Sequence, residues 1–418
     1  MKRKVLIIGG GASGMMAALT AAEGGASVTI LDHGKKLGRK LLATGSGRCN
    51  FTNIDQDPSC YHCSNPDFPW HVISVFSVPD TISCFLRLGI YSRNRKGYLY
   101  PYPEQSSAVL DSLQAKLDSL GVHYHLNTDV TGIQQRDSGG YRITADSGYT
   151  YDCDALIIAG GSPAGGIPGA SGSCYNLAAR LGHTVINPLP ALVQLRTSAE
   201  YAHKLAGLRT EGLASLYIDG KPVNQDRGEI QFIRGGLSGI PIMQLSGDAA
   251  YALSQKKCVS VSIDFMPDFK ENLLAAFLLQ RVSCCGYRKI RDFLIGFLPR
   301  ELGNVIISET GLDPDQLSSS MSEADLRLLA LRIHTLPFSI SGTFPAESAQ
   351  TTRGGIDTAQ IDADTMESTV CPDLYFAGEI VDVDGKCGGY NLQWAWSSGF
   401  LAGRSASDNS IRKGKKTV

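Results

Sequence analysis

The sequence predicts an α/β protein. A Rossmann-type nucleotide-binding domain is assembled from both ends of the chain and is interrupted by a β-barrel-like subdomain and a helical insert. Three observations predict it. First, the buried run Val5-Leu6-Ile7-Ile8 leads through Gly9-x-Gly11-x-x-Gly14 into Met15, Met16, Leu19 and Ala22 at helical spacing, then into a second buried run, Val28-Thr29-Ile30-Leu31. That order is a βαβ unit, with parallel strands and a right-handed crossover. Second, Leu374-Tyr375-Phe376-Ala377-Gly378-Glu379 repeats the pattern of buried strand then glycine near the other end. Third, the stretch between them is patterned differently, and ends that match around an unlike middle indicate an insertion. The expected boundaries are 1–190 with 340–418 for the nucleotide-binding domain, 191–267 with 334–345 for the β subdomain, and 268–333 for the helical insert.

The remaining elements follow in chain order. Tyr141-Arg142-Ile143-Thr144-Ala145 and Tyr149-Thr150-Tyr151 alternate around Ser147-Gly148, which predicts an antiparallel meander of short strands. It feeds a third buried run, Ala155-Leu156-Ile157-Ile158-Ala159-Gly160-Gly161. After Pro188 and Pro190, strand-like segments run from Leu213 to Ile218, Glu229 to Ile233 and Val259 to Phe265. Asp268 with Glu271 has the spacing of a capping box ahead of Leu273, Leu274, Phe277, Leu278 and Val282, and Ser322 with Asp325 opens a comparable helix.

Composition removes several function classes. With 418 residues, two or three units are expected. A formal net charge of −1 gives no bulk attraction to nucleic acid or to an anionic membrane. The basic run Arg412 to Lys416 is local and reads as a solvated terminus. Glycines interrupt the apolar run after Ile8, so the start of the chain reads as strand and turn rather than as a secretion signal. No apolar stretch has the length of a membrane span. The 11 cysteines lack regular spacing, and Cys60-Tyr61-His62-Cys63 has no second pair to complete a zinc site. Reduced thiols, a reducing cytoplasmic compartment and no metal are expected.

The chemistry begins at the glycine loop. Gly9, Gly11, Ala12, Ser13 and Gly14 form a tight turn into a helix, where backbone N–H groups approach a pyrophosphate. Asp32 ends the second strand, 18 residues beyond Gly14, and suits a ribose hydroxyl. The meander ahead of the third parallel strand, and the late strand ending in Gly378-Glu379, mark the FAD-binding version of the fold, so FAD is the expected dinucleotide. Gly160 ends the third strand, and Glu379 follows the last one, where it would reach the ribityl chain. The segment from Gly388 opens a helix running through Phe400, and the N–H groups at Asn391 and Leu392 are placed to face the flavin N1–C2=O edge, which gains negative charge on reduction.

The run Gly38-Arg39-Lys40-Leu41-Leu42-Ala43-Thr44-Gly45-Ser46-Gly47-Arg48-Cys49-Asn50-Phe51-Thr52-Asn53, with Asp364 to Ser368 and Leu374 to Gly399, resembles the signature of a family of bacterial NAD(P)/FAD-dependent oxidoreductases. This family includes aminoacetone oxidase-like and 3-dehydro-bile acid reductase-like flavoproteins, and the resemblance covers essentially the whole chain. It implies FAD contacts at Arg39, Lys40, Gly47 and Arg48 and a backbone contact to adenine at Val130. The chain departs from the family at Ile233-Arg234, where many relatives carry Thr-His, so no family histidine role carries over there.

No second glycine fingerprint exists to build a separate nicotinamide domain. NADH or NADPH, as the expected donor, would therefore visit the flavin transiently. The resemblance implies reduction of an activated C=C in a small molecule such as a 3-oxo-Δ4 or Δ6 steroid or bile acid. The alternatives are oxidation of a small amine and a flavin-carrying protein without turnover. No catalytic residue is assigned. Tyr98, Tyr100, Tyr102 and Tyr390 are candidate acids, and Arg353 is a candidate anchor for an anionic group. Cys49 and Cys387 read as packing residues, and Ile54 stands where a disulfide reductase would have its second cysteine.

Overall fold

The computed structural model describes residues 2–166 and 172–408; the basic run Arg412 to Lys416 lies outside them. The chain divides into two compact units, Met1–Leu189 with Ala346–Val418, and Pro190–Pro345.

The first unit is built on a five-stranded parallel sheet. Strand Lys4–Ile8 lies at its centre, flanked by Ser27–Leu31 and Ala155–Ile158, with His123–His125 and Leu374–Phe376 at the edges. The inner strands are apolar without alternation because helices cover both faces of a parallel sheet. Register aligns their carboxyl ends: Ile8 pairs with Leu31 and with Ile158, and Ile158 pairs with Phe376. Gly9, Asp32, Ala159 and Ala377 therefore leave the sheet along one edge. The meander is present as Val130–Gln135, Tyr141–Ala145 and Thr150–Cys153, all antiparallel.

Two helices fix what that edge can hold. The loop helix, Ala12–Glu23, follows the glycine turn, and the closing helix, Tyr390–Ser407, packs along it. Their contact depends on Gly399 and Gly403. A Cβ on Gly399 would lie 2.5 Å from the Ser13 carbonyl oxygen, and one on Gly403 would lie 2.3 Å from that of Ala17. Residues four apart share a helix face, so the pair forms one flat strip for a close, parallel crossing. Polar groups buried with the closing helix are satisfied. Gln393, wholly buried, donates to the Phe76 carbonyl and to Thr81 and Ser397, and accepts from Thr52 at 2.6 Å. The Trp394 indole donates to the Gly378 carbonyl at 3.0 Å, and that of Trp396 to the Phe51 carbonyl at 2.9 Å.

The second unit is a closed six-stranded barrel, and its core is continuous with the helices of the same unit. Strands Arg209–Ile218 and Lys221–Ile233 contain the first two segments read from sequence, Val259–Asp264 covers the third except Phe265, and Leu195–Thr197, Gly236–Ser238 and Leu336–Thr343 complete the closure. Ser322 and Asp325 form the expected capping box. The Asp268–Glu271 box does not form. That helix begins at Glu271 with Lys270 before it, and the Asp268 carboxylate instead pairs with Arg227 across the surface at 2.6 Å.

Substituting Gly403→Val should part the two helices. Forcing side-chain volume into a filled contact costs about 1–3 kcal/mol, which calorimetry would register as a lower unfolding temperature; an unchanged midpoint would mean the helix spacing is set elsewhere.

Candidate active site

The glycine loop is shaped by the protein at two positions and left open at a third. Gly9 has φ +103°, and a Cβ there would lie 2.4 Å from the Ala159 carbonyl oxygen; one on Gly14 would lie 1.9 Å from that of Gly9. Only glycine fits either place. Gly11 is different: its backbone is extended and a Cβ would meet nothing within 4 Å. Among the described residues no atom explains the bare Cα of Gly11, which stands at the start of a helix that no side chain caps. Uncapped N–H groups and the helix dipole make such a place attractive to an anion.

Asp32, buried at the end of its strand, accepts from the Gly10 and Gly34 N–H groups at 2.6 Å each. It clamps the glycine turn, and each carboxylate oxygen retains capacity for a further bond. Arg39 contacts His33 and lies against Gly34, on the Asp32 side of the loop. Val130 begins the meander two residues after Thr128, whose N–H donates to the Asp32 carbonyl at 2.9 Å. Asp32, Arg39 and Val130 thus share one end of the edge.

Lys40 and Glu379 meet at the other end. The ammonium lies 2.6 Å from Glu379 Oε2, while Oε1 accepts from Ser162 Oγ at 2.7 Å and from the Thr352 N–H at 3.2 Å. Gly378, at φ +78°, brings this acid close to the glycine loop, since a Cβ there would lie 2.3 Å from Ser13 Oγ. Gly160 is glycine for a reason of packing, the Cys174 sulfur lying 2.2 Å from its would-be Cβ.

The segment after Ala43 is backbone-strained. Gly45, Ser46, Gly47 and Cys49 all have left-handed φ, which is unfavourable for serine and cysteine. Arg48 is exposed and lies over the Tyr100 ring, 5.6 Å from its centroid. Cys49 is wholly buried, and burial pushes its thiol up to about 12. Its neighbour Asn50 has a buried side-chain oxygen with no hydrogen-bond partner among the described residues, 3.0 Å from where a Cβ of Gly389 would stand.

Gly389 precedes the closing helix, whose N-terminus no side chain caps. The Asn391 side chain turns back, accepting from the Gly385 N–H at 2.9 Å and donating to the Gly385 carbonyl at 2.8 Å, so it fixes the approach to the helix. Leu392 is half-buried beside it. Among the expected acids, Tyr390 donates to the Asp55 carbonyl at 2.9 Å, Tyr98 lies against Gly388, and Tyr102 is exposed beneath Arg93. Arg353 is held by Asp384, its Nε 3.2 Å from Oδ1.

The sequence-predicted residues therefore form one continuous wall along the carboxyl edge, from Val130 and Asp32 through the glycine loop to Glu379. Asn391 and Leu392 lie at the start of the closing helix, and Arg48 lies on the exposed side of its loop. Sequence reasoning missed Ser162, Thr352, Asn50, His62 and Asp384. Ser162 was detectable from its place just past Gly160-Gly161; the others depend on long-range contacts. Among the described residues no group of three or more His, Cys, Asp or Glu is placed to hold a metal, and no helix is long and apolar enough to cross a membrane. None of the 11 cysteines is paired in a disulfide.

A model of the HI0933-like protein Rossmann domain matches residues 3–405. A 3-dehydro-bile acid delta(4,6)-reductase from Clostridium scindens is 36% identical over 407 residues, covering 97% of this chain and 99% of that protein. A ribosomal RNA dihydrouridine synthase from Haemophilus influenzae is 31% identical, covering 96% of this chain and 98% of that protein. Among solved structures, a 3-ketosteroid-delta4-(5alpha)-dehydrogenase from Rhodococcus jostii aligns over 97% of both chains at 15% identity, with a TM-score of 0.45.

The thiols give a pH test. Alkylation of the folded protein at pH 8, followed by mass spectrometry, should label the exposed Cys258 and Cys284 and spare Cys49, whose thiolate forms only near pH 12. Rapid labelling of Cys49 would contradict its burial.

Proposed function

The chain belongs to the HI0933-like Rossmann-domain family, and from that premise we propose that it is an FAD-dependent oxidoreductase. We infer that it reduces a C=C bond conjugated to a carbonyl in a small molecule, a 3-oxo-Δ4 or Δ6 bile acid or steroid, with NADH or NADPH as donor. The observation that carries this reading is the open cradle at Gly11 together with the uncapped start of the closing helix. The full-length similarity to a bile-acid reductase supports the substrate class.

The residues fit an adenine-flavin dinucleotide. Gly9, Gly11, Ala12, Ser13 and Gly14 would hold the pyrophosphate on backbone N–H groups. Asp32, Arg39 and Val130 would border the adenosine half, and Gly160, Gly378, Glu379 and Lys40 the ribityl side. The Lys40–Glu379 pair keeps that carboxylate neutralised, so no bare negative charge would face the cofactor. Gly47 and Arg48 would belong to the strained loop that flanks the ring. Asn391 and Leu392 would present N–H groups to the ring's C2=O edge, while the unpaired Asn50 oxygen offers an acceptor beside those donors. Donors next to an acceptor match a cyclic imide. When bound, the flavin supplies hydride transfer from the nicotinamide to an electron-poor carbon.

A second reading has one observation in its favour. The 31% identity to a ribosomal RNA dihydrouridine synthase points to uridine as substrate, and saturating its ring is also reduction of a carbonyl-conjugated C=C. The net charge of −1 does not favour an RNA substrate over a small molecule.

Purified protein should be yellow, and anaerobic NADH or NADPH should bleach it. A 3-oxo-4,6-diene bile acid should then restore the flavin spectrum within the turnover time. Gly11→Val should lose the cofactor while keeping the fold by circular dichroism. Bleaching by an amine alone would establish the oxidase alternative, and reoxidation only by uridine-containing RNA would establish the second reading.

A further inference from the structure

We propose that His62, backed by the buried carboxylate of Asp384, is the proton donor of the reduction, a role that rests on the reductase reading above. His62 lies on the short strand Tyr61–His62, paired antiparallel with Asp384–Gly385, so the two side chains come from facing residues. His62 Nδ1 is shut off from solvent and lies 3.6 Å from Asp384 Oδ2, while 35% of the side chain remains open. One edge of the imidazole therefore faces a fixed carboxylate, and part of the ring remains accessible. At 3.6 Å the contact is an ion-pair approach rather than a hydrogen bond, so the carboxylate acts on the ring through its charge.

The surroundings suit the role. Asp384 is buried, and burial raises its carboxyl group; Arg353 Nε, 3.2 Å from Oδ1, and His62 oppose that shift and favour the ionised form. Asp382, the other acid close by, accepts from the Ser64 N–H at 3.0 Å. Tyr61, next to His62, donates to Gln56 at 2.7 Å, and its burial keeps the phenol protonated. Cys63 Sγ is paired with Thr358, and burial raises its thiol to about 11. The Tyr390 hydroxyl is committed to the Asp55 carbonyl. The Asp384–Gly385 strand is also tied to the start of the closing helix through Asn391, which places the dyad beside the expected flavin edge.

The carbon β to the carbonyl accepts a hydride whose two electrons come from NAD(P)H by way of the flavin. The carbon α to the carbonyl takes a proton from His62 Nε2–H, so the C=C bond is lost and two C–H bonds form. The imidazolium becomes neutral imidazole and regains its proton from water.

The test uses holoprotein reduced with stoichiometric dithionite without oxygen, so it does not depend on the nicotinamide, and a 3-oxo-4,6-diene bile acid as oxidant. Wild type should reoxidise rapidly. His62→Ala should slow that step about 100-fold or more, and added imidazole should restore a large part of the rate. His62→Gln should be slow without rescue, and Asp384→Asn should fall between. A His62→Ala protein that holds flavin and reoxidises at the wild-type rate, or one that imidazole does not rescue, would overturn the assignment while leaving the reductase reading intact. Failure of wild type to reoxidise would remove the reductase reading and this role together.

Discussion

The close parallel crossing of the two helices at Gly399 and Gly403 sets the geometry of everything around it. Because Gly399 meets Ser13 and Gly403 meets Ala17, the helices run in the same direction and lie in near backbone contact. Tyr390 is nine residues before Gly399, so at ~1.5 Å per residue the closing helix extends about 13 Å beyond the level of Ser13. Its N-terminus therefore overshoots the glycine loop and opens further along the same edge. Two uncapped helix starts, separated in this way along one line, suit an elongated ligand with an anionic middle and an electron-accepting end. Trp394 and Trp396 hold the overshooting part in place, one to the end of the last strand and the other to the strained segment at Phe51.

The nucleotide half of the fold was legible because its residues answer to local rules. The buried runs had to be continuous in a parallel sheet. Gly9 and Gly14 were required by contacts within their own turn, and Asp32 was required at the strand end. The meander and the Ser322 cap are local too. The rest was hidden because it depends on long-range contact. Gly399 and Gly403 look like helix-weakening residues until Ser13 and Ala17 are placed against them. The barrel strands Leu195–Thr197 and Gly236–Ser238 are each only three residues long and are defined by their neighbours. The Asp268–Glu271 spacing fitted a cap, but an exposed arginine held the aspartate.

The candidate site shows the same division. Residues of the glycine loop and the two strand-end acids could be named in advance. The partners of those acids could not, because Ser162 and Thr352 come from different parts of the chain than Glu379. His62 sits within Cys60-Tyr61-His62-Cys63, where the cysteines draw attention first. Its chemistry appears only when strand pairing brings Asp384 opposite it, from more than 300 residues away in sequence.

The charge pattern also constrains how such a site would work. Asp32 is stabilised by two backbone N–H groups, and Glu379 is paired with the Lys40 ammonium. The attraction for an anionic ligand then falls to fixed backbone donors rather than to long basic side chains. Backbone donors are already ordered by the sheet and the helices, so they lose little entropy on binding and need no reorganisation when charge develops on the ligand. Arg48, by contrast, is exposed and carries its charge on a long side chain. On the proposed reading, a rigid wall would hold the redox group, and the task of completing the addition would fall to a residue at its rim.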